Sequence, residues 1–182
     1  MTGVQTCALP ICIEIPTIKI APPEEKTPLE AAIDHLDRYD WLVLTSVNGV
    51  KFFFDTLFEK GKDARALGHL KFACIGPVTK ERLADHGIIS DILPETYQAE
   101  SVIDAFSGLD MTGKKVLLPR AKKARTILPE QLTRMGALVD EVTAYETRLA
   151  DEGKDLLIDM LKAGDIDAVT FTSSSTVTNF LT

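Results

Sequence analysis

Short hydroxyl, amide and glycine residues recur in this chain wherever an apolar run gives way to a helix-like pattern. Thr45-Ser-Val-Asn-Gly49 follows Trp41–Leu44, Gly76-Pro-Val-Thr79 follows Lys71–Ile75, and Thr172-Ser-Ser-Ser175 follows Ala168–Phe171. A fourth corner, Arg120 with Lys122, Lys123 and Arg125, follows Val116–Pro119. Corners of this kind leave backbone N–H groups free at the positive end of a helix, where anions are favoured. Any single one could be no more than a helix cap, the ordinary use of Ser, Thr and Asn there. Four of the same chemistry point to an anionic ligand. The candidate binding residues are Thr45, Ser46, Asn48, Gly49, Gly76, Thr79, Arg120, Arg125, Thr172, Ser173, Ser174 and Ser175.

Charge placement agrees with that reading. The chain carries 20 Lys and Arg against 27 Asp and Glu, a formal charge of −7. Six of the basic residues fall between Lys114 and Arg125, a stretch without an acid, so the remainder stands at −13. A solvated helix face accounts for Lys122 and Lys123. It accounts less well for Arg120, which stands at a strand end, and a local basic field can draw an anion to a generally acidic protein. The acidic total argues against a general nucleic-acid binder. No stretch reaches the roughly 18 apolar residues of a membrane span. Cys7, Cys12 and Cys74 are too few for a disulfide scaffold, and a cytoplasmic location is the expectation.

Other motifs fail on their chemistry. Gly108 to Lys115 approaches a phosphate-binding loop, but Lys115 stands where a magnesium-binding Ser or Thr is needed, and the segment precedes a strand instead of following one. His35, His69 and His86 lie far apart, without paired cysteines or carboxylates at ligand spacing. No activated-serine elbow or dinucleotide fingerprint occurs. No metal and no cofactor are expected.

The elements that must position the corners alternate in type. Strands are predicted at Thr17–Ile20, Trp41–Thr45, Lys71–Ile75, Ile89–Leu93, Lys115–Pro119, Leu138–Tyr145 and Ala168–Thr172. Helices are predicted from Thr27 (as N-cap) to Arg38, Val47 to Glu59, Pro77 to His86, Ala99 to Phe106, Ala124 to Met135 and Gly153 to Ala163, with another opening near the end. This spacing predicts an α/β fold of parallel sheets flanked by helices. Residues 1–12 carry neither period and read as an adaptor-like tail, and the chain reads as a fragment.

An internal repeat ties two corners together. Asp40 to Val50 aligns with Asp167 to Val177 at an offset of 127, with Asp, Thr, Ser and Val coinciding at 40/167, 45/172, 46/173 and 50/177. Two similar α/β lobes follow, the second copy truncated.

The ordered pieces are Tyr39-Asp-Trp-Leu-Val-Leu-Thr-Ser-Val-Asn-Gly-Val50, Ile75-Gly-Pro-Val-Thr79 with Leu83 and Gly87, Val116-Leu-Leu-Pro-Arg-Ala121 with Arg125, Gly136-Ala-Leu-Val139 through Tyr145-Glu-Thr147, and Asp167 to Asn179. At these spacings, over about residues 16–182, the chain resembles the uroporphyrinogen-III synthases. The resemblance implies two lobes joined by a two-stranded ladder: residues 13–20 with 145–182 as an incomplete first lobe, and 21–144 as an inserted second lobe. It implies closure of hydroxymethylbilane to uroporphyrinogen III with inversion of ring D, by a cytoplasmic monomer needing no metal, cofactor, nucleic acid or membrane. Tyr145 stands at the position of the tyrosine proposed to assist hydroxyl departure, and Thr79, Ser173 and Ser175 match hydroxyl positions lining the cleft. A second copy of the Ile75 to Thr79 corner, expected near 202, lies beyond Thr182. The residues themselves leave open a non-catalytic carboxylate-binding module or an inactive fragment of the enzyme.

Overall fold

The computed structural model describes residues 11–181 apart from 95, 97, 98 and 151, and for residues 99, 100 and 175 it describes the backbone alone. Five strands, β1 (Ile18–Ala21), β2 (Trp41–Leu44), β3 (Lys71–Cys74), β4 (Lys115–Ala121) and β5 (Leu138–Leu149), form one sheet in the order β1-β5-β4-β2-β3. The helices are α1 (Thr27–Asp34), α2 (Val47–Glu59), α3 (Pro77–Ala84), α4 (Ala99–Phe106), α5 (Ile127–Arg134), α6 (Lys154–Ala163) and α7 (Ser174–Phe180). The chain divides into two compact units, one running from Ile20 to Thr147, the other taking the segment up to Lys19 and the segment from Arg148 onward.

Within Ile20–Thr147, β2 pairs in parallel with both β3 and β4, and β4 with β5. All four residues of β2, Trp-Leu-Val-Leu, are buried, as a parallel strand covered on both faces requires. Alternation sends Leu42 and Leu44 into one apolar cluster with Leu29, Ile33, Phe53, Phe54 and Leu83, from α1, α2 and α3. Trp41 and Val43 join the other, with Val102, Phe106, Leu128 and Leu132 from α4 and α5. The result is a sheet with helices on both faces. From β2 the chain winds to β3 on one side and to β4 and β5 on the other. The carboxyl ends of β2 and β4 therefore flank a switch point, where ligands of open α/β sheets bind.

Local chemistry explains where elements start and stop. Ser46 caps α2, and Gly61 (φ +70°) follows its end. Gly87 and Gly136 take the same left-handed conformation behind α3 and α5. Helix α1 starts at Thr27 itself, not after it: Lys26 takes the N-cap position with no side-chain hydrogen bond, so Thr27 is not the cap. Helix α5 opens at Ile127 instead of Ala124, because the preceding loop is tied elsewhere: Lys122 N–H donates to the Tyr145 carbonyl and Arg120 to that of Arg125. The predicted strand at Ile89–Leu93 reduces to one parallel bridge between Ile92 and Ala73. There the Asp91 carboxylate accepts the Phe72 N–H at 2.7 Å, a side chain standing in for a ladder partner. At Ala168–Thr172 the structure shows no strand among the described residues: the apolar pattern is present, but no neighbouring backbone pairs with it.

The other unit is more open. Helix α6 lies between two left-handed glycines, Gly153 and Gly164, and contributes no buried residue. Helix α7 is capped by Ser173, whose Oγ accepts the Thr176 N–H at 3.2 Å.

Candidate functional site at the carboxyl ends of β2 and β4

The corner after β2 is built by one serine. Ser46 leaves the strand extended (φ −159°, ψ 157°), and its Oγ accepts the Gly49 N–H at 3.0 Å. The same geometry recurs at the repeat partner: Ser173 has φ −156° and ψ 159°, and caps the residue three further on. The offset of 127 seen in sequence is thus matched by the same corner conformation in both units. Gly49 has a specific reason to lack a side chain. A Cβ there would stand 3.2 Å from the carbonyl oxygen of Pro119 in β4, tighter than ordinary van der Waals contact.

Across the switch point, Tyr145 meets Ser46. The phenol oxygen lies 2.9 Å from Ser46 Oγ, and the ring stacks on Phe52 of α2 with centroids 5.9 Å apart at 18°. A β-bulge makes this possible. Arg120 pairs with Thr143, but the next residue, Ala121, pairs with Tyr145, so one residue of β5 is skipped. Ala144 and Tyr145 consequently bury themselves in the same cluster, which strict alternation forbids.

Arg120 is also drawn inward. It is 5% exposed, its Nη2 donates to the Arg125 carbonyl, and its Nε lies 3.4 Å from Glu141 Oε1. Nε and Nη1 are buried without a hydrogen-bond partner. Burial pushes the guanidinium pKa down, against the opposing pull of Glu141 and Tyr145. Arg125 is exposed, and Lys122 pairs at 3.0 Å with the buried Glu146.

The remaining candidates fall in three places. Thr45 and Asn48 are half-buried beside Ser46. Gly76 is the N-cap of α3 and Thr79 is buried within that helix, at the carboxyl end of β3. Thr172, Ser173 and Ser174 are exposed in the other unit, and the side chain of Ser175 lies outside the described residues. Phe52, which holds the Tyr145 ring, and Glu141, which faces Arg120, were not read from sequence. Phe52 carried a usable signal, an aromatic in the second turn of a helix opening at a candidate corner. Glu141 carried none, because its pairing depends on the register of β4 against β5.

A cavity of about 480 Å³ opens at the amino ends of β2 and β3, lined by Tyr39, Asp40, Trp41, His69 and Lys71 among others. There Tyr39 donates to the Asp140 carboxylate, and burial together with that bond pushes its phenol pKa up. The helices α2 and α3 open at the opposite end of the sheet, behind the carboxyl ends of β2 and β3. Among the described residues no cluster of His, Cys, Asp and Glu is placed to hold a metal ion, and no helix is long and apolar enough to cross a membrane.

A parallel arrangement of β2, β3, β4 and β5 with helices on both faces places the chain in the α/β class. The chain belongs to the uroporphyrinogen-III synthase HemD family, whose model matches residues 11–182. It is 31% identical over 169 residues to the porphyrin biosynthesis protein HemD of Ruminiclostridium josui, covering 93% of this chain and 34% of that one. It is 34% identical over 169 residues to the uroporphyrinogen-III synthase of Synechococcus elongatus, covering 92% and 63%. Among solved structures, the uroporphyrinogen III synthase of Thermus thermophilus shares the fold with a TM-score of 0.60 at 18% identity, over 89% of this chain and 63% of that one. The chain thus spans from about a third to under two thirds of the length of these relatives.

Proposed function

We propose that the chain carries the Tyr145 side of a uroporphyrinogen-III synthase, acting on hydroxymethylbilane. The observation that carries this reading is the Ser46–Tyr145 pair, 2.9 Å apart at the switch point, in a chain of that family. The substrate is linear and bears many carboxylates, and the corners at Ser46 and Gly76 supply backbone donors that would hold them.

In the first step the bond from the terminal methylene carbon to its hydroxyl breaks. The electron pair leaves with the oxygen, which takes a proton and departs as water, and the pyrrole nitrogen supports the resulting azafulvene-like cation. A phenol with a reference pKa near ~10 is a weak acid, so Tyr145 acts chiefly by donating a hydrogen bond to the departing oxygen. Orientation then favours the spiro intermediate that inverts ring D over direct closure, a task geometry performs by removing entropy from the barrier. The proton released on final ring closure restores the balance. No residue of the site requires a cofactor for these steps. The acidic composition and the free thiols of Cys12 and Cys74 support a cytoplasmic protein that does not bind nucleic acid, and we take it to act as a monomer.

The test is to incubate the chain with hydroxymethylbilane and separate the uroporphyrinogen isomers. The proposal expects isomer III above the spontaneous background. Isomer I alone, at the uncatalysed rate, would overturn the catalytic reading, and tight binding in that case would mark a non-catalytic carboxylate-binding module.

A further inference from the structure

We propose that Ser46 is a positioning residue for Tyr145, setting both the place of the phenol oxygen and the direction in which its proton points. The inference rests on the reading above and deepens it. Three constraints converge on the phenol. The bulge at Arg120/Ala121 turns Tyr145 onto the face of the sheet that carries Ser46. The Phe52 ring stacks against it. Ser46 Oγ then meets the phenol oxygen at 2.9 Å.

Ser46 is itself fixed. Its Oγ has one proton and two lone pairs, and one lone pair is taken by the Gly49 N–H at 3.0 Å. Two arrangements remain for the pair. Ser46 donates to the phenol oxygen and leaves the phenol proton free, or the phenol donates to Ser46 and leaves the serine proton free. Each uses one proton inside the pair and offers one to an incoming oxygen. The first arrangement suits the chemistry. As the phenol proton is drawn toward a departing hydroxyl, charge grows on the phenol oxygen, and the Ser46 hydroxyl already donates to it. Behind Ser46 lies the N-terminus of α2, thirteen residues long, whose dipole favours that charge. Ser46 thereby passes the field of the helix end to the phenol, in addition to capping the helix. Gly49 keeps the arrangement compact by letting α2 approach the Pro119 carbonyl.

The experiment uses the full chain with Ser46→Ala, Ser46→Gly, Ser46→Thr, Tyr145→Phe and the Ser46→Ala/Tyr145→Phe double variant. Gly is a tolerated cap without a hydroxyl, so it separates helix capping from positioning. Ser46→Ala and Ser46→Gly should each lower kcat about tenfold with KM within about twofold, and Ser46→Thr should recover most of the turnover. The double variant should lose no more than Tyr145→Phe alone. Multiplying losses, or a Thr variant as damaged as Ala, would overturn the proposal.

A second readout is independent of turnover. With ¹³C-labelled tyrosine, the ζ-carbon resonance of Tyr145, assigned by its absence from Tyr145→Phe, should move in Ser46→Ala and stay in Ser46→Thr. A resonance that ignores Ser46→Ala overturns the positioning role whatever the turnover. A resonance that moves while even the unaltered chain makes no isomer III leaves the positioning standing and rejects the proposed reaction.

Discussion

Arg120 donates from its guanidinium to the backbone carbonyl of Arg125, so the two arginines of the basic stretch close one turn yet face different media. Arg120 is buried and Arg125 exposed. The buried guanidinium keeps Nε and Nη1 without hydrogen-bond partners among the described residues, and the side chain of Glu141, which it faces, is 43% exposed. Its stem fills space in the corner while its charge is poorly compensated.

That imbalance gives a sign. Arg120→Ala, which removes the stem, should destabilise the fold by about 2 kcal/mol or more. Arg120→Met, which keeps the volume and drops the buried charge, should stay within about 1 kcal/mol of the parent or exceed it. Urea denaturation of the two variants checks this. A Met variant as unstable as the Ala variant would show that charge, not volume, holds the corner. Arg125→Ala should change stability by no more than about 0.5 kcal/mol and act, if at all, through substrate KM.

Both buried clusters fall wholly within Ile20–Thr147, whereas α6 buries nothing. A chain of residues 20–147 should therefore unfold in one cooperative transition, with the Ser46–Tyr145 pair intact. Circular dichroism against urea measures it, and a featureless decline would show that the remaining segments are needed to hold the sheet.

Burial, and after it the charge of Arg82, holds the His86 pKa below its ordinary 6.5, with the ring stacked at 3.8 Å on Phe54. The unfolded chain accepts a proton on His86 at a higher pH than the folded one. Stability from this group is complete above the unfolded value and declines as pH falls below about 6.5. The displaced carboxylates Asp34, Asp40, Asp63 and Asp110 are all lowered from 3.8 and act at lower pH. Denaturation midpoints measured from about pH 7.5 to about pH 5 should fall in the parent and fall less in His86→Gln. Equal slopes would remove His86 from the acid sensitivity.

What was legible in the sequence was local. The span of α2 follows from Ser46 at one end and Gly61 beyond the other, and the repeated corner at Ser46 and Ser173 was visible as spacing alone. Strand pairing was not. Ile89–Leu93 and Ala168–Thr172 have strand composition, but a strand exists through its neighbour, and no pattern within those segments reports one. The candidate site was legible as a set of corners and illegible as geometry. Ser46 and Tyr145 lie 99 residues apart, and their meeting depends on a bulge that skips one residue of β5, which leaves no periodic trace. Arg120 read as a basic residue at a strand end, and only the register with Glu141 shows why it turns inward.

The proposed role of the Tyr145 hydroxyl, held by Ser46, is to assist departure of the substrate hydroxyl. The direct measurement is kcat for Tyr145→Phe on hydroxymethylbilane, with the isomer ratio recorded in the same reaction. Phenylalanine preserves the ring that stacks on Phe52 and removes only the oxygen bonded to Ser46. The expected result is a fall in kcat of about a hundredfold, on the order of 3 kcal/mol, with KM little changed and isomer I rising as spontaneous closure competes. A Phe variant that keeps the full rate and yields only isomer III would contradict it.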